Sequence, residues 1–146
     1  MTNTKFVAYQ QTRLLTGQPG TLARIALEEA IAATRRAVAE LRAGNVMQRS
    51  NAITKAISLL TEFVARLNDR AAPELCLNLR RVCDYAQRRL MEAHFRRSEV
   101  MMTEVVQLLR PIAEAWAAVE RRTATAAIEG QQEGNEESAF ARHSRP

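Results

Sequence analysis

Apolar residues recur every three or four positions along most of the chain, which is the period of an amphipathic α-helix. The first segment with this pattern runs from Pro19 to Ala43, and Gly44 follows it where a left-handed residue commonly ends a helix. The second segment runs from Asn45 to about Asn68. Its broad apolar face consists of Val46, Ile53, Ala56, Ile57, Leu60, Phe63, Val64 and Leu67. These two segments predict neighbouring helices joined by a tight turn.

A third helix is predicted to begin at Pro73, because proline suits the first position of a helix. Its apolar seam alternates strictly at three and four and consists of Cys76, Leu79, Cys83, Ala86, Leu90 and Ala93. Half of these side chains are small, so a neighbouring helix either packs very close or leaves a groove. The pattern changes phase near Arg97, and Ser98 is expected to cap a fourth helix, in which Pro111 predicts a kink or a break.

The two ends of the chain lack this pattern. Residues 1–17 are predicted to form a short, partly helical leader. Residues 129–146 are polar and acidic without periodicity, a composition typical of a disordered tail. Residues 18–128 make up the predicted helical domain. Long helices with short links between them predict an all-α fold, an antiparallel up-and-down bundle of four long helices with a short N-terminal helical leader.

The composition agrees with one helical domain. The chain has 146 residues, of which 47% are hydrophobic, and only 5 Gly and 4 Pro interrupt it. It contains neither an apolar run of membrane-spanning length nor a secretory signal, so we expect a cytoplasmic protein without membrane insertion. Cys76 and Cys83 are seven positions apart on one predicted helix, too far for a disulfide, and are interpreted as small core residues in a reducing compartment.

The positive charge raises the possibility of a nucleic-acid partner. The net charge is +5, and residues 1–128 carry 19 of the 21 cations but only 12 of the 16 anions. One row on the predicted third helix alternates in sign at i, i+4 spacing and consists of Arg80, Asp84, Arg88, Glu92 and Arg96. Such a row neutralises itself. The arginines that lack an acidic partner on this row are Arg81, Arg89 and Arg97. Because aromatic residues for base stacking are few, nucleic-acid binding is not expected.

Residues that could carry catalysis are scarce. The chain has two histidines, and its two cysteines are not at zinc-ligand spacing. It has no glycine-rich phosphate loop and no nucleophile elbow. The sequence therefore predicts a binding protein that is not an enzyme and uses no metal or other cofactor.

Several short motifs resemble the FliS family of flagellin export chaperones over roughly residues 8 to 119. They are Ala8-Tyr9-Gln10-Gln11, Thr16-Gly17-Gln18-Pro19-Gly20, Asn51-x-Ile53-x-Lys55-Ala56, Asp84-Tyr85-x-x-Arg88-Arg89-Leu90-x-Glu92-Ala93 and Glu114-Ala115-Trp116. The chain differs from the family at Leu27 and Glu29, where members usually have tyrosine and glycine, and at Cys83, where an aromatic residue is common.

The resemblance implies a cytoplasmic chaperone for the C-terminal segment of flagellin. Such a protein prevents premature polymerisation of flagellin and helps deliver it to the flagellar export gate, whose membrane component resembles FlhA. The resemblance also implies that the leader, with Tyr9, covers the client groove until flagellin displaces it. No cofactor is implied.

Apolar residues beyond those that one core can use are the candidates for the client groove. They are Tyr9, Leu14, Leu22, Ile25, Leu27, Ile53, Ile57, Leu60 and Val64. Two alternatives stay open at this point: a basic helical nucleic-acid-associated protein, and a structural bundle that associates with itself through its wide apolar faces. The oligomeric state is also open.

Overall fold

The computed structural model describes residues 17–143, which form four consecutive α-helices. These are α1 (Gly17–Ala43), α2 (Val46–Ala65), α3 (Pro73–Arg96) and α4 (Glu99–His143). Helix α1 packs against α2 and α4, and α3 packs against the same two helices, so the four form a closed ring. The links at 44–45, 66–72 and 97–98 are short, which makes successive helices antiparallel. The predicted four-helix bundle is confirmed.

Two tight turns lie at the same end of the bundle and have the same geometry. The backbone N–H of Asn45 donates to the carbonyl five residues before it (2.9 Å), and the N–H of Ser98 does the same (2.9 Å). This 6→1 bond places a left-handed residue before it, and the structure has Gly44 (φ 76°) and Arg97 (φ 53°) there. The Ser98 hydroxyl accepts the N–H of Met101 (3.2 Å), which confirms the predicted cap of α4.

The core follows from the apolar seams. The buried face of α1 is mainly alanine, which lets α2 approach closely, and these two helices share the most extensive contact in the bundle. The buried residues of α3 are Cys76, Leu79, Cys83, Ala86, Leu90 and Ala93, the six of the predicted seam. Both cysteines are free and buried, as predicted.

Helix α4 is longer than the sequence pattern predicts. It continues through Pro111, so the chain does not break there, and it extends into the acidic segment as far as His143. The segment that was predicted to be a disordered tail is thus helical in this structure as far as residue 143, although every side chain from Ala124 to His143 is exposed. A helix that packing has already formed elongates without a new nucleation step. Gly130 and Gly134 weaken this extension without ending it.

The described helices also bear on the membrane question. None of the helices in residues 17–143 has a stretch that is long and apolar enough to cross a bilayer.

Candidate peptide-binding groove

The structure places the predicted groove residues at different depths. Leu27 and Leu60 are 0% exposed and Ile53 is 2% exposed, so these three side chains belong to the core. Ile57 and Val64 on α2 are partly buried and pack against that core. In this arrangement little or none of these three side chains is open to a partner.

The other predicted residues lie near or before the start of α1. Leu22 and Ile25 are 36% and 38% exposed, which leaves part of each side chain open to a partner. Tyr9 and Leu14 lie outside the residues that the structure describes. The start of α1 therefore has two exposed apolar side chains, directly after the predicted leader.

An apolar groove of about 380 Å³ opens between α3 and α4. It is lined by Leu75, Leu79, Pro111, Ile112, Ala115, Trp116 and Val119. Apart from the indole nitrogen of Trp116, these side chains consist only of hydrocarbon. Such a lining suits the apolar face of an amphipathic peptide.

Helical spacing explains why these residues face one another. Leu75 and Leu79 are one turn apart on α3. On α4, Ile112, Ala115 and Val119 stand at i, i+3 and i+7, which places them on one face of the helix. The groove residues of both helices therefore form apolar stripes, and the short side chain of Ala115 leaves room between them. The sequence does not predict this site, since the spacing shows each stripe but not which helices lie side by side.

A hydrogen-bonded cluster connects α3 to α4 on the side of the groove nearer the 97–98 turn. The Tyr85 hydroxyl donates to Glu104 Oε1 (2.5 Å), and Arg89 Nε donates to Glu104 Oε2 (2.8 Å). These two bonds stabilise the carboxylate and lower the pKa of Glu104, and the bond to the carboxylate raises the pKa of Tyr85. The two helices are thus held together beside the groove.

Trp116 is the largest side chain that lines the groove. It is 2% exposed, and its ring meets the edge of Phe63 with centroids 5.3 Å apart and planes at 66°. Such an edge-to-face contact contributes about 1 kcal/mol beyond simple burial. The indole Nε1 is buried and has no hydrogen-bond acceptor among the described residues. Phe63 thus holds a ring whose only polar atom lacks a partner.

A second groove, of about 650 Å³, runs between α1 and α4 and has a charged lining. Arg24 lines it and pairs with Glu28 (3.0 Å) and Glu120 (2.6 Å). The hydrogen bond that Arg24 Nε donates to the Glu120 carboxylate is the main cause that raises the pKa of Arg24. Because an apolar segment bound here would remove these charged side chains from water, the α1/α4 groove is a poorer match to such a segment than the α3/α4 groove.

The arginine row on α3 is largely paired. Arg88 pairs with Asp84 (3.1 Å) and Arg96 with Glu92 (3.2 Å), as the i, i+4 spacing predicts. These pairs leave little unbalanced positive charge along the row.

Two other arginines of α3 pair with residues outside it. Arg80 pairs with Asp69 in the 66–72 link (3.0 Å). Arg89, which was predicted to lack an acidic partner on the row, pairs with Glu92 of that row (3.4 Å), so that prediction is wrong, and it also pairs with Glu104 on α4 (2.8 Å). The spacing within one helix could not show a partner on the neighbouring helix. The arginines of this stretch without an ion pair to any described residue are Arg81 and Arg97.

The titratable residues offer little chemistry. Within residues 17–143, no three His, Cys, Asp or Glu side chains come together as metal ligands. Burial raises the pKa of the Cys83 thiol to about 12, so this cysteine remains a protonated core residue. What the surface offers instead is an apolar groove.

Comparisons with known proteins agree with the resemblance seen in the motifs. The family model described as flagellar protein FliS matches residues 1–123. The chain is 32% identical to the flagellar secretion chaperone FliS of Salmonella typhimurium (strain LT2) over 107 residues, which cover 73% of this chain and 79% of that protein. The family match ends at Thr123, after which every described side chain of α4 is exposed.

Proposed function

The chain belongs to the FliS family of flagellar secretion chaperones, and we propose that it binds the C-terminal segment of flagellin in the cytoplasm. In this role it prevents premature polymerisation of flagellin and aids its delivery to the export gate, through a component that resembles FlhA. We propose the α3/α4 groove as the surface that receives the flagellin segment.

The hydrocarbon lining of the α3/α4 groove is the observation that supports this proposal. A client segment that is disordered when free can fold against such a groove and bury its apolar side chains there. Each large apolar side chain that leaves water contributes about 1.5 to 3 kcal/mol. The bundle is already ordered, so most of the entropy cost of binding comes from the client.

The leader is proposed as a cover for the groove in the absence of client, as the family resemblance implies for the segment that includes Tyr9 and Leu14. The geometry supports this proposal, because α1 starts at the same end of the bundle as α3. Residue 17 therefore lies at the end of the bundle where Leu75 and Leu79 line the groove. Leu22 and Ile25, exposed at this end, are proposed as further contacts for the client.

Calorimetric titration of two matched variants tests the groove. Ala115→Glu adds a carboxylate to an exposed residue of the groove lining, and Ala39→Glu adds the same group to an exposed position on α1. The titrant is a peptide of about forty C-terminal residues from the flagellin of the same genome. We expect 1:1 binding that Ala115→Glu weakens roughly tenfold or more and Ala39→Glu leaves unchanged, because only the former buries a charge.

The same titration at low and high salt separates this function from the alternatives. Binding in an apolar groove changes little with salt, whereas binding of nucleic acid falls steeply. Equal affinities of the two variants would contradict the assignment of the groove. Absence of binding to the unmodified protein would contradict the flagellin function itself.

A further inference from the structure

Trp116 has a buried hydrogen-bond donor without an acceptor. Its Nε1 has no partner among the described residues, and the whole side chain is only 2% exposed. A buried indole N–H normally finds an acceptor, because an unpaired donor loses its bond to water and gains nothing in return. The indole N–H of Trp116, a residue that lines the α3/α4 groove, is therefore a buried and unpaired donor.

The side chains of the groove lining supply no acceptor for this donor. The other six residues of the groove lining are Leu75, Leu79, Pro111, Ile112, Ala115 and Val119, and none has a polar side-chain atom. Phe63, which packs against the indole ring, has none either. A change of rotamer among these residues therefore gives Nε1 no acceptor, and a bound partner is a source of acceptors that the groove lining lacks.

We propose that Trp116 contributes to client binding in the groove by donating a hydrogen bond from Nε1 to a backbone carbonyl oxygen of the bound client. This inference rests on the proposed function. Within a helix most carbonyl oxygens already accept a bond, and only the last four lack a partner. The client segment at Trp116 is therefore the C-terminal end of a helix or an extended stretch.

The client has to reach an atom that is out of contact with solvent. The side chains of Leu75 and Ile112 are only partly buried, and side-chain rotamers often change at an interface on binding. We expect such changes to open a path to Nε1 while Phe63 keeps the indole ring in place.

The chain has a single tryptophan, which allows one atom to be changed selectively. Growth with β-(3-benzothienyl)alanine in place of tryptophan replaces the N–H at position 116 by sulfur and keeps the ring system. We expect this substitution to raise the Kd for the flagellin peptide about tenfold, the loss that one hydrogen bond predicts. The thermal midpoint of the free protein should not fall, since the N–H has no partner there.

The indole resonance supplies a second readout. In protein labelled with ¹⁵N-tryptophan, the single indole N–H signal should move downfield when the peptide binds, as a new hydrogen bond requires. The Ala39→Glu variant should give the same shift. The Ala115→Glu variant should need a roughly tenfold higher peptide concentration, or more, to reach the same shift.

Three outcomes would overturn the inference, and they are distinguishable. Peptide binding that is equal in the natural and benzothienyl proteins would overturn it and leave the proposed function intact. A lower thermal midpoint of the benzothienyl protein with unchanged binding would show that the N–H is bonded within the free chain. If the natural protein does not bind the peptide, the proposed function and the inference fail together.

Discussion

The buried thiols show how the interior of the bundle controls the chemistry of single residues. Cys83 is 2% exposed, and burial raises the pKa of its thiol to about 12. Burial likewise raises the pKa of Cys76, whose sulfur lies 3.4 Å from the carbonyl oxygen of Asn68. The thiolate is the form that reacts with alkylating reagents. We therefore expect neither cysteine to react with iodoacetamide at mildly alkaline pH in the folded protein.

Mass spectrometry of the alkylated protein checks this expectation, with the denatured protein as a control that reacts at both cysteines. The pKa of Cys83 also gives a direction for stability. Because the fold favours the protonated thiol, its contribution is complete below the ordinary thiol pKa of 9.0 and declines as the pH rises from there towards 12. Modification of the folded protein at the rate of the denatured one would contradict the burial of these side chains.

The sequence also does not predict how deeply a single side chain is buried. Ile57 and Leu60 lie on the same predicted face of α2, yet Leu60 is 0% exposed and Ile57 is partly buried. Helical periodicity assigns a residue to a face but not to a depth, which depends on the neighbouring helices. For this reason Leu60→Asp would unfold the bundle, whereas Ala115→Glu can report on binding.

Among the elements, the two tight turns form a natural pair for comparison. Both place a left-handed residue before the same 6→1 hydrogen bond, but one has Gly44 and the other Arg97. A residue with a Cβ atom pays roughly 1 kcal/mol or more for this conformation. We expect Gly44→Ala to lower the free energy of unfolding by about 1 kcal/mol and Arg97→Gly to raise it by up to about 1 kcal/mol.

Urea denaturation followed by circular dichroism measures both changes. An added Cβ at Gly44 meets no atom within 4 Å, so the expected cost comes from the backbone conformation alone. A loss of stability in Arg97→Gly would contradict this account, because it would show that the Arg97 side chain contributes more than its backbone conformation costs.

The sequence predicts where the helices begin and end better than it predicts which helices pack side by side. Gly44, Pro73 and Ser98 mark helix boundaries that the structure confirms, since capping is a local property. The extension of α4 beyond residue 128 was not predicted. The composition of residues 129–146 does not show that a packed helix precedes them and can continue into them. The groove was missed for a related reason: Leu75 and Ile112 belong to different helices, and only the packed bundle brings them together.

For the whole molecule, the net charge of +5 gives a less direct guide to partners than the groove does. Several arginines of α3 are neutralised, either along the helix, as Arg88 is by Asp84, or across to α4, as Arg89 is by Glu104. Helix α3 therefore does not present an extended row of unpaired arginines that could bind phosphates. The α3/α4 groove, in contrast, is an apolar surface on a rigid bundle, the kind that an amphipathic segment can occupy.

The central claim is that flagellin occupies the α3/α4 groove, and site-specific photo-crosslinking tests it most directly. A benzophenone amino acid is introduced at Ala115 in the groove or at Ala39 on α1, and each protein is irradiated with full-length flagellin. We expect a crosslinked product from position 115, attached to the C-terminal segment of flagellin, and none from position 39. A crosslink from position 39 without one from position 115 would contradict the claim.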